Sequence, residues 1–157
     1  MLKRLIVTAC ACTIAIPAVA IGGPPPDPEY GGKIENKENR YLGFDVKGSG
    51  NDKKISNGFI INLPFKCNDP MNNEKESGTL EKPIKVKSDG SFDDTKQYDF
   101  DSRGGASGIR YRLKGELDGN KATGFLDVEL LGTGGCKSGK QDFKVKKPSP
   151  PVPATTP

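Results

Sequence analysis

The chain has 157 residues, enough for one ordinary domain, with 24 Lys and Arg against 20 Asp and Glu. It contains no histidine and no tryptophan, which excludes imidazole bases, Ser-His-Asp and Cys-His nucleophilic sites and every zinc site with a histidine ligand. A hydrophobic content of 33% and a mean hydropathy of −0.58 leave room for one modest core.

Residues 1–20 read as a secretory signal peptide. Lys3 and Arg4 form a basic start, and Leu5 to Ile16 is a mostly apolar run of 12 residues, too short to span a bilayer as a helix. Pro17 breaks it, and Ala18-Val19-Ala20 supplies the small residues of a cleavage site. Removal takes Lys3 and Arg4 away, so the mature charge is 22 − 20 = +2. That balance offers no general attraction to nucleic acid or to an anionic membrane. No transmembrane segment remains after cleavage, and the expected location is extracellular or periplasmic.

Cleavage also removes Cys10 and Cys12, leaving Cys67 and Cys136 with a single possible pairing. In an oxidising compartment these two are expected to form a disulfide.

Two Pro-rich flanks bracket the rest. Residues 21–39 hold four prolines and four glycines with few apolar side chains, and read as a disordered linker. Pro148 to Pro157 holds five prolines and no charged side chain, and reads as an extended, disordered tail. Nine of the 13 prolines fall in these flanks, so the segment between them, residues 40–147, is the folded domain.

Within that domain apolar residues alternate, and no segment keeps a helical period for three turns. Leu42, Phe44 and Val46 are predicted on one strand face, and Ile55, Asn57, Phe59, Ile61, Leu63 and Phe65 on one face of the next strand. Ile84-Val86, Phe92, Tyr98-Phe100 and Phe143-Val145 mark shorter strands between Gly-Ser-Gly, Asp-Gly and Gly-Gly turns. The best-defined hairpin joins Ile109–Leu117 to Ala122–Leu130 through Asp118-Gly119-Asn120-Lys121. Pairing Leu117 with Ala122 puts Ile109 opposite Leu130, Tyr111 opposite Val128 and Leu113 opposite Leu126. On the other face Arg110 then meets Glu129 and Arg112 meets Asp127, each opposite-charge pair contributing about 0.2–1 kcal/mol. The fold class predicted is all-β: an antiparallel meander of about seven to eight strands, closed as a small barrel or a sandwich.

Carboxylate chemistry is the catalysis a chain without histidine still permits. Asp127 and Glu129 share a strand face about 6.5–7 Å apart, a separation of the kind seen in paired-acid glycosidases, but both have cross-strand arginines and a structural role is favoured. Asp89-Gly90-Ser91-Phe92-Asp93-Asp94 resembles the start of a calcium loop, yet Asp94 stands where glycine is needed and Phe100 where glutamate is needed. An Asp-Gly turn explains it better. Gly132-Thr133-Gly134-Gly135 leads into a cysteine and a strand rather than a helix, so a phosphate loop is rejected. No cofactor and no metal is expected.

The remaining candidate is the polar stretch Asn68 to Gly78, longer than hairpin loops usually are and anchored at Cys67. The Gly132–Gly135 loop should lie beside it across the disulfide. Long loops on rigid sheets are where binding surfaces tend to sit, so Asn68, Asp69, Met71, Asn72, Asn73 and Thr133 form the candidate binding loop, with Met71 as its apolar contact.

The order Tyr41-x-Gly43, Ile55-x-x-Gly58-Phe59, Cys67, Asp89-Gly90-Ser91-Phe92, Leu113-x-Gly115-x-Leu117, Ala122-x-Gly124-x-Leu126 and Cys136-x-Ser138-Gly139 resembles small secreted bacterial β domains, mostly uncharacterised, with a paired-cysteine framework and an A-x-G-x-[LF] strand. Phe143 stands where that family often has Trp. The resemblance implies fold and secretion, and brings no activity or catalytic residue with it.

The function expected is therefore a secreted, non-catalytic module binding an envelope component, a matrix polymer or a protein. Its partner would be an extracellular protein or polysaccharide, and not nucleic acid. The alternatives are a small barrel carrying an apolar ligand, with room provided by Gly115 and Gly124, and a secreted hydrolase inhibitor.

Overall fold

The computed structural model describes residues 28–68, 75–99, 106–132 and 135–148. Ten strands follow one another: β1 (Tyr30–Lys33), β2 (Tyr41–Lys47), β3 (Lys54–Pro64), β4 (Lys75–Leu80), β5 (Ile84–Lys85), β6 (Ser91–Asp99), β7 (Ala106–Asp118), β8 (Lys121–Gly132), β9 (Cys136–Lys137) and β10 (Gln141–Lys146). A 3-10 turn, Gly50–Asp52, links β2 to β3.

All pairings are antiparallel and belong to one sheet, ordered β4-β3-β2-β1-β10-β8-β7-β6, with the two-residue strands β5 and β9 attached to β3 and β8. Eight strands thus follow a meander whose first strand closes against its last. The sheet curls around one core, in which Leu42, Phe44, Phe92, Tyr111, Leu113, Leu126, Val128 and Val145 are fully buried. Its ladder is open between the edge strands β4 and β6. Tyrosine hydroxyls bridge this seam. Tyr98 on β6 donates to the Thr79 carbonyl at 2.7 Å. Tyr111 donates to the Lys82 carbonyl at 2.5 Å and accepts from the Lys82 N–H at 3.0 Å.

The β7–β8 hairpin has the predicted register throughout, from Ile109 opposite Leu130 to Leu117 opposite Ala122. Gly115 and Gly124 face each other on these strands where the backbones crowd. A methyl group on Gly124 would lie 2.0 Å from the Lys114 carbonyl oxygen, and one on Gly115 would lie 2.8 Å from the Phe92 ring. These glycines serve close packing at a bend of the sheet, and the space beside them is filled.

Three sequence expectations differ from the structure. The predicted single face of β3 is broken twice: the register with β2 shifts between Gly43 and Asp45, and that with β4 between Ile60 and Leu63. Asn57 (φ +50°) and Asn62 (φ +54°) take the left-handed conformation at these bulges, which asparagine tolerates better than other L side chains. Each extra residue inverts the alternation, so Ile55, Ile60, Leu63 and Phe65 enter the core while Phe59 and Ile61 do not.

The second difference is β1, which lies inside the stretch read as linker. Tyr30 and Ile34 are buried there, and Tyr30 stacks on Phe44 with ring centres 5.5 Å apart. β2 and β10 supply a ladder on both sides of this short segment. Glu29 fastens its start, accepting from the Val46 N–H at 2.7 Å and pairing with Lys147 at 2.5 Å. Third, the polar stretch after Cys67 is strand from Lys75 onward, because β3 offers it an edge. The proposed signal peptide, residues 21–27 of the linker, and residues 149–157 of the tail lie outside the described residues. Among the described residues no helix is long and apolar enough to cross a membrane.

Candidate functional site

Cys67 and Cys136, separated by 69 positions in sequence, are joined as a disulfide. Beside it Lys66 and Lys137 exchange backbone hydrogen bonds of 2.9 Å each way, tying the end of β3 to β9. Gly135 takes φ +49° against Asn68, whose amide nitrogen would lie 2.4 Å from a methyl placed there. The two loop ends are therefore neighbours across the disulfide, as the sequence predicts. Of the candidate loop only Asn68 is described; Asp69, Met71, Asn72, Asn73 and Thr133 lie outside the described residues.

Of the carboxylate pair on β8, Glu129 is committed to ion pairs and Asp127 makes none among the described residues. Glu129 binds Arg110 and Lys137, each at 3.1 Å. Arg112 does not direct its guanidinium to Asp127, its register partner, as expected. It forms a fork onto Asp93 of β6 at 2.8 and 2.9 Å, with Lys114 adding a third contact at 3.1 Å. Hydrogen bonds from Arg112 and Lys114 hold the Asp93 carboxyl far below the usual carboxylate range. Both Asp93 oxygens enter the planar fork, the stronger, bidentate form of this pair. Asp89 accepts from the hydroxyl and N–H of Ser91 at 2.7 and 2.9 Å, which lowers its pKa and fixes the Asp-Gly turn. Among the described residues no group of three or more acidic or cysteine side chains is placed to hold a metal ion.

The bulges of β3 build a feature that strand alternation conceals. Phe59 and Tyr41, on the outer face of the sheet, stack with ring centres 5.8 Å apart, Phe59 buried beneath its neighbours and Tyr41 half-buried. Beneath them are Gly31 and Gly43, register partners on β1 and β2. A methyl on Gly43 would lie 2.6 Å from the Phe59 ring, and one on Gly31 1.8 Å from the Tyr41 hydroxyl. Only glycine leaves the aromatic rings room to lie flat on the sheet.

Two open grooves flank this platform. One, about 420 Å³, is walled by Pro28, Glu38, Asn39, Tyr41, Phe59, Ile61 and Asn62. The other, about 460 Å³, lies between Pro28, Gly31, Tyr41, Lys146, Lys147 and Pro148. Asn62 donates to the Asn39 carbonyl at 2.8 Å, and Lys33 pairs with Glu38 at 3.1 Å, so the rim is polar and held in place. Such a surface can stack a flat apolar face of a ligand and hydrogen-bond its edges. Strand alternation alone missed it; Asn57 and Asn62, polar residues inside an apolar strand, were the available signal.

Against protein-family models, curated proteins and solved structures, the chain shows no match.

Proposed function

We propose that this chain is a secreted, non-catalytic extracellular β module that binds an envelope component, a matrix polymer or a protein on its outer face. The observation that carries the reading is the half-buried Tyr41 ring, stacked on a buried Phe59 on the outer face of the sheet and lining both open grooves. Export, cleavage after residue 20 and an oxidising destination accord with the N-terminal sequence and the Cys67–Cys136 bond. The resemblance to small secreted bacterial β domains points the same way. Arg110 and Arg112, engaged with Glu129 and Asp93, support a structural reading of the outer carboxylates.

The test is co-sedimentation of oxidised residues 21–157 with envelope fragments of the producing organism. Tyr41→Ala and a variant lacking residues 69–74 run alongside. Saturable retention lost with Tyr41→Ala supports the platform as the site; retention lost only with the deletion moves the site to the loop at the disulfide. No retention of the parent protein refutes the envelope reading.

A further inference from the structure

Lys47, Lys54 and Lys85 are consecutive rungs of one row. Lys47 faces Lys54 across β2 and β3, and Lys54 faces Lys85 across β3 and β5. All three are exposed. Their neighbours Val46, Ile55 and Ile84 pack inward, so the three lysines share the outer face. Strands lie about 4.8 Å apart, so the three side chains leave the sheet as direct neighbours of like charge. Several outer-face cations elsewhere are matched: Arg110 and Lys137 with Glu129, Arg112 and Lys114 with Asp93, and Lys147 with Glu29. Lys121 faces Lys146 across β8 and β10 as a pair rather than a row of three. Among the described residues, none of the three row lysines makes an ion pair. Lys53 and Lys87 flank them, while the nearby Asp89 is engaged with Ser91.

Like charges directly opposite each other destabilise a sheet, so the row lowers stability unless something anionic lies across it. The same two strands, β2 and β3, carry the Tyr41–Phe59 platform on the same outer face, about 16 Å along β3 from Lys54. Between them Asp45 is occupied by Asn57 at 2.7 Å and by the Glu29 N–H at 3.1 Å. An extended ligand following β2 and β3 would meet point charges first and an aromatic stacking surface second.

We infer that the lysine row and the aromatic platform together bind an acidic polysaccharide, its carboxylates on Lys47, Lys54 and Lys85 and a sugar face on Tyr41. This rests on the binding-module reading and names its ligand class. Lysines without an arginine fork suit single carboxylates better than bidentate phosphate recognition. A nucleic acid draws its affinity from many phosphate contacts, and three lysines supply few. An anionic membrane would call for exposed apolar anchors beside the charges, and among the described residues none flanks this row.

The test is affinity electrophoresis of the mature, oxidised chain through gels holding polygalacturonate, neutral dextran or single-stranded DNA, with sedimentation on anionic lipid vesicles in parallel. Polygalacturonate is expected to retard the protein, less so near 1 M salt, where screening acts within about 3 Å. Lys54→Gln with Lys85→Gln should weaken this at least about tenfold, or about 1.4 kcal/mol. Lys121→Gln with Lys144→Gln removes two exposed lysines on β8 and β10 that line neither groove, with the same change in charge, and should leave binding within about twofold, or about 0.4 kcal/mol. Because the first double variant relieves repulsion, its melting temperature should not fall, which separates binding from folding. The inference is overturned if polygalacturonate does not retard the protein, if DNA or vesicles bind it as well, or if both double variants weaken binding equally. Should Tyr41→Ala abolish envelope retention while Lys54→Gln with Lys85→Gln keeps it, the module reading stands and this one fails.

Discussion

Replacing Tyr111 by Phe tests whether the seam of the sheet is held by side chains. The Tyr111 hydroxyl makes two hydrogen bonds to one residue, donating to the Lys82 carbonyl and accepting from its N–H. Phe keeps the ring in the core, so the loss is confined to those bonds and to two backbone groups of Lys82 left without the hydroxyl. At about 0.5–1.5 kcal/mol per hydrogen bond the cost is about 1–3 kcal/mol, and urea unfolding should show it as a midpoint lowered by about 0.5–1.5 M. Burial pushes the Tyr111 phenol up to about 12, helped by its proximity to Tyr98, Asp94 and Glu81. An unfolded tyrosine titrates near pH 10, so the folded state holds its proton where the unfolded state has lost it. The stability this contributes is complete below about pH 10 and disappears as pH rises to about 12. Tyr111→Phe should therefore flatten the alkaline decline in stability, leaving the part due to Tyr98, whose phenol burial also raises. Amide exchange at Lys82 should quicken in the variant. An unchanged urea midpoint with unchanged exchange at Lys82 would refute the account of the seam.

Reduction of Cys67–Cys136 opens a loop of 69 residues; the chain-entropy model gives a loss of about 4 kcal/mol, read by comparing denaturation of the oxidised chain with a double Ser variant. Gly124→Ala should destabilise the fold by about 2–3 kcal/mol, since its methyl group meets the Lys114 carbonyl oxygen; calorimetry measures it. At Asn57, where φ is +50°, Gly should be tolerated while Val costs about 1–2 kcal/mol, and equal melting temperatures for the two variants would contradict the bulge assignment.

Fold class, the pairing of Cys67 with Cys136 and the β7–β8 register were legible in the sequence. Each depends on a local pattern: alternation of period two, a single possible cysteine pair, and charges placed to face each other across a hairpin. What the tertiary structure decided depends on contacts between segments distant in the chain. Tyr30–Lys33 has the composition of a linker and is a strand because β2 and β10 flank it. Arg112 chose Asp93 over its register partner because a third strand lies within reach of its fork. Alternation assumes an unbroken ladder, and two left-handed asparagines in β3 break it, turning Phe59 outward onto Tyr41. The row of Lys47, Lys54 and Lys85 follows the same logic. These residues are scattered across 39 positions of sequence, and only the pairing of three strands makes neighbours of like charges that sequence spacing keeps apart.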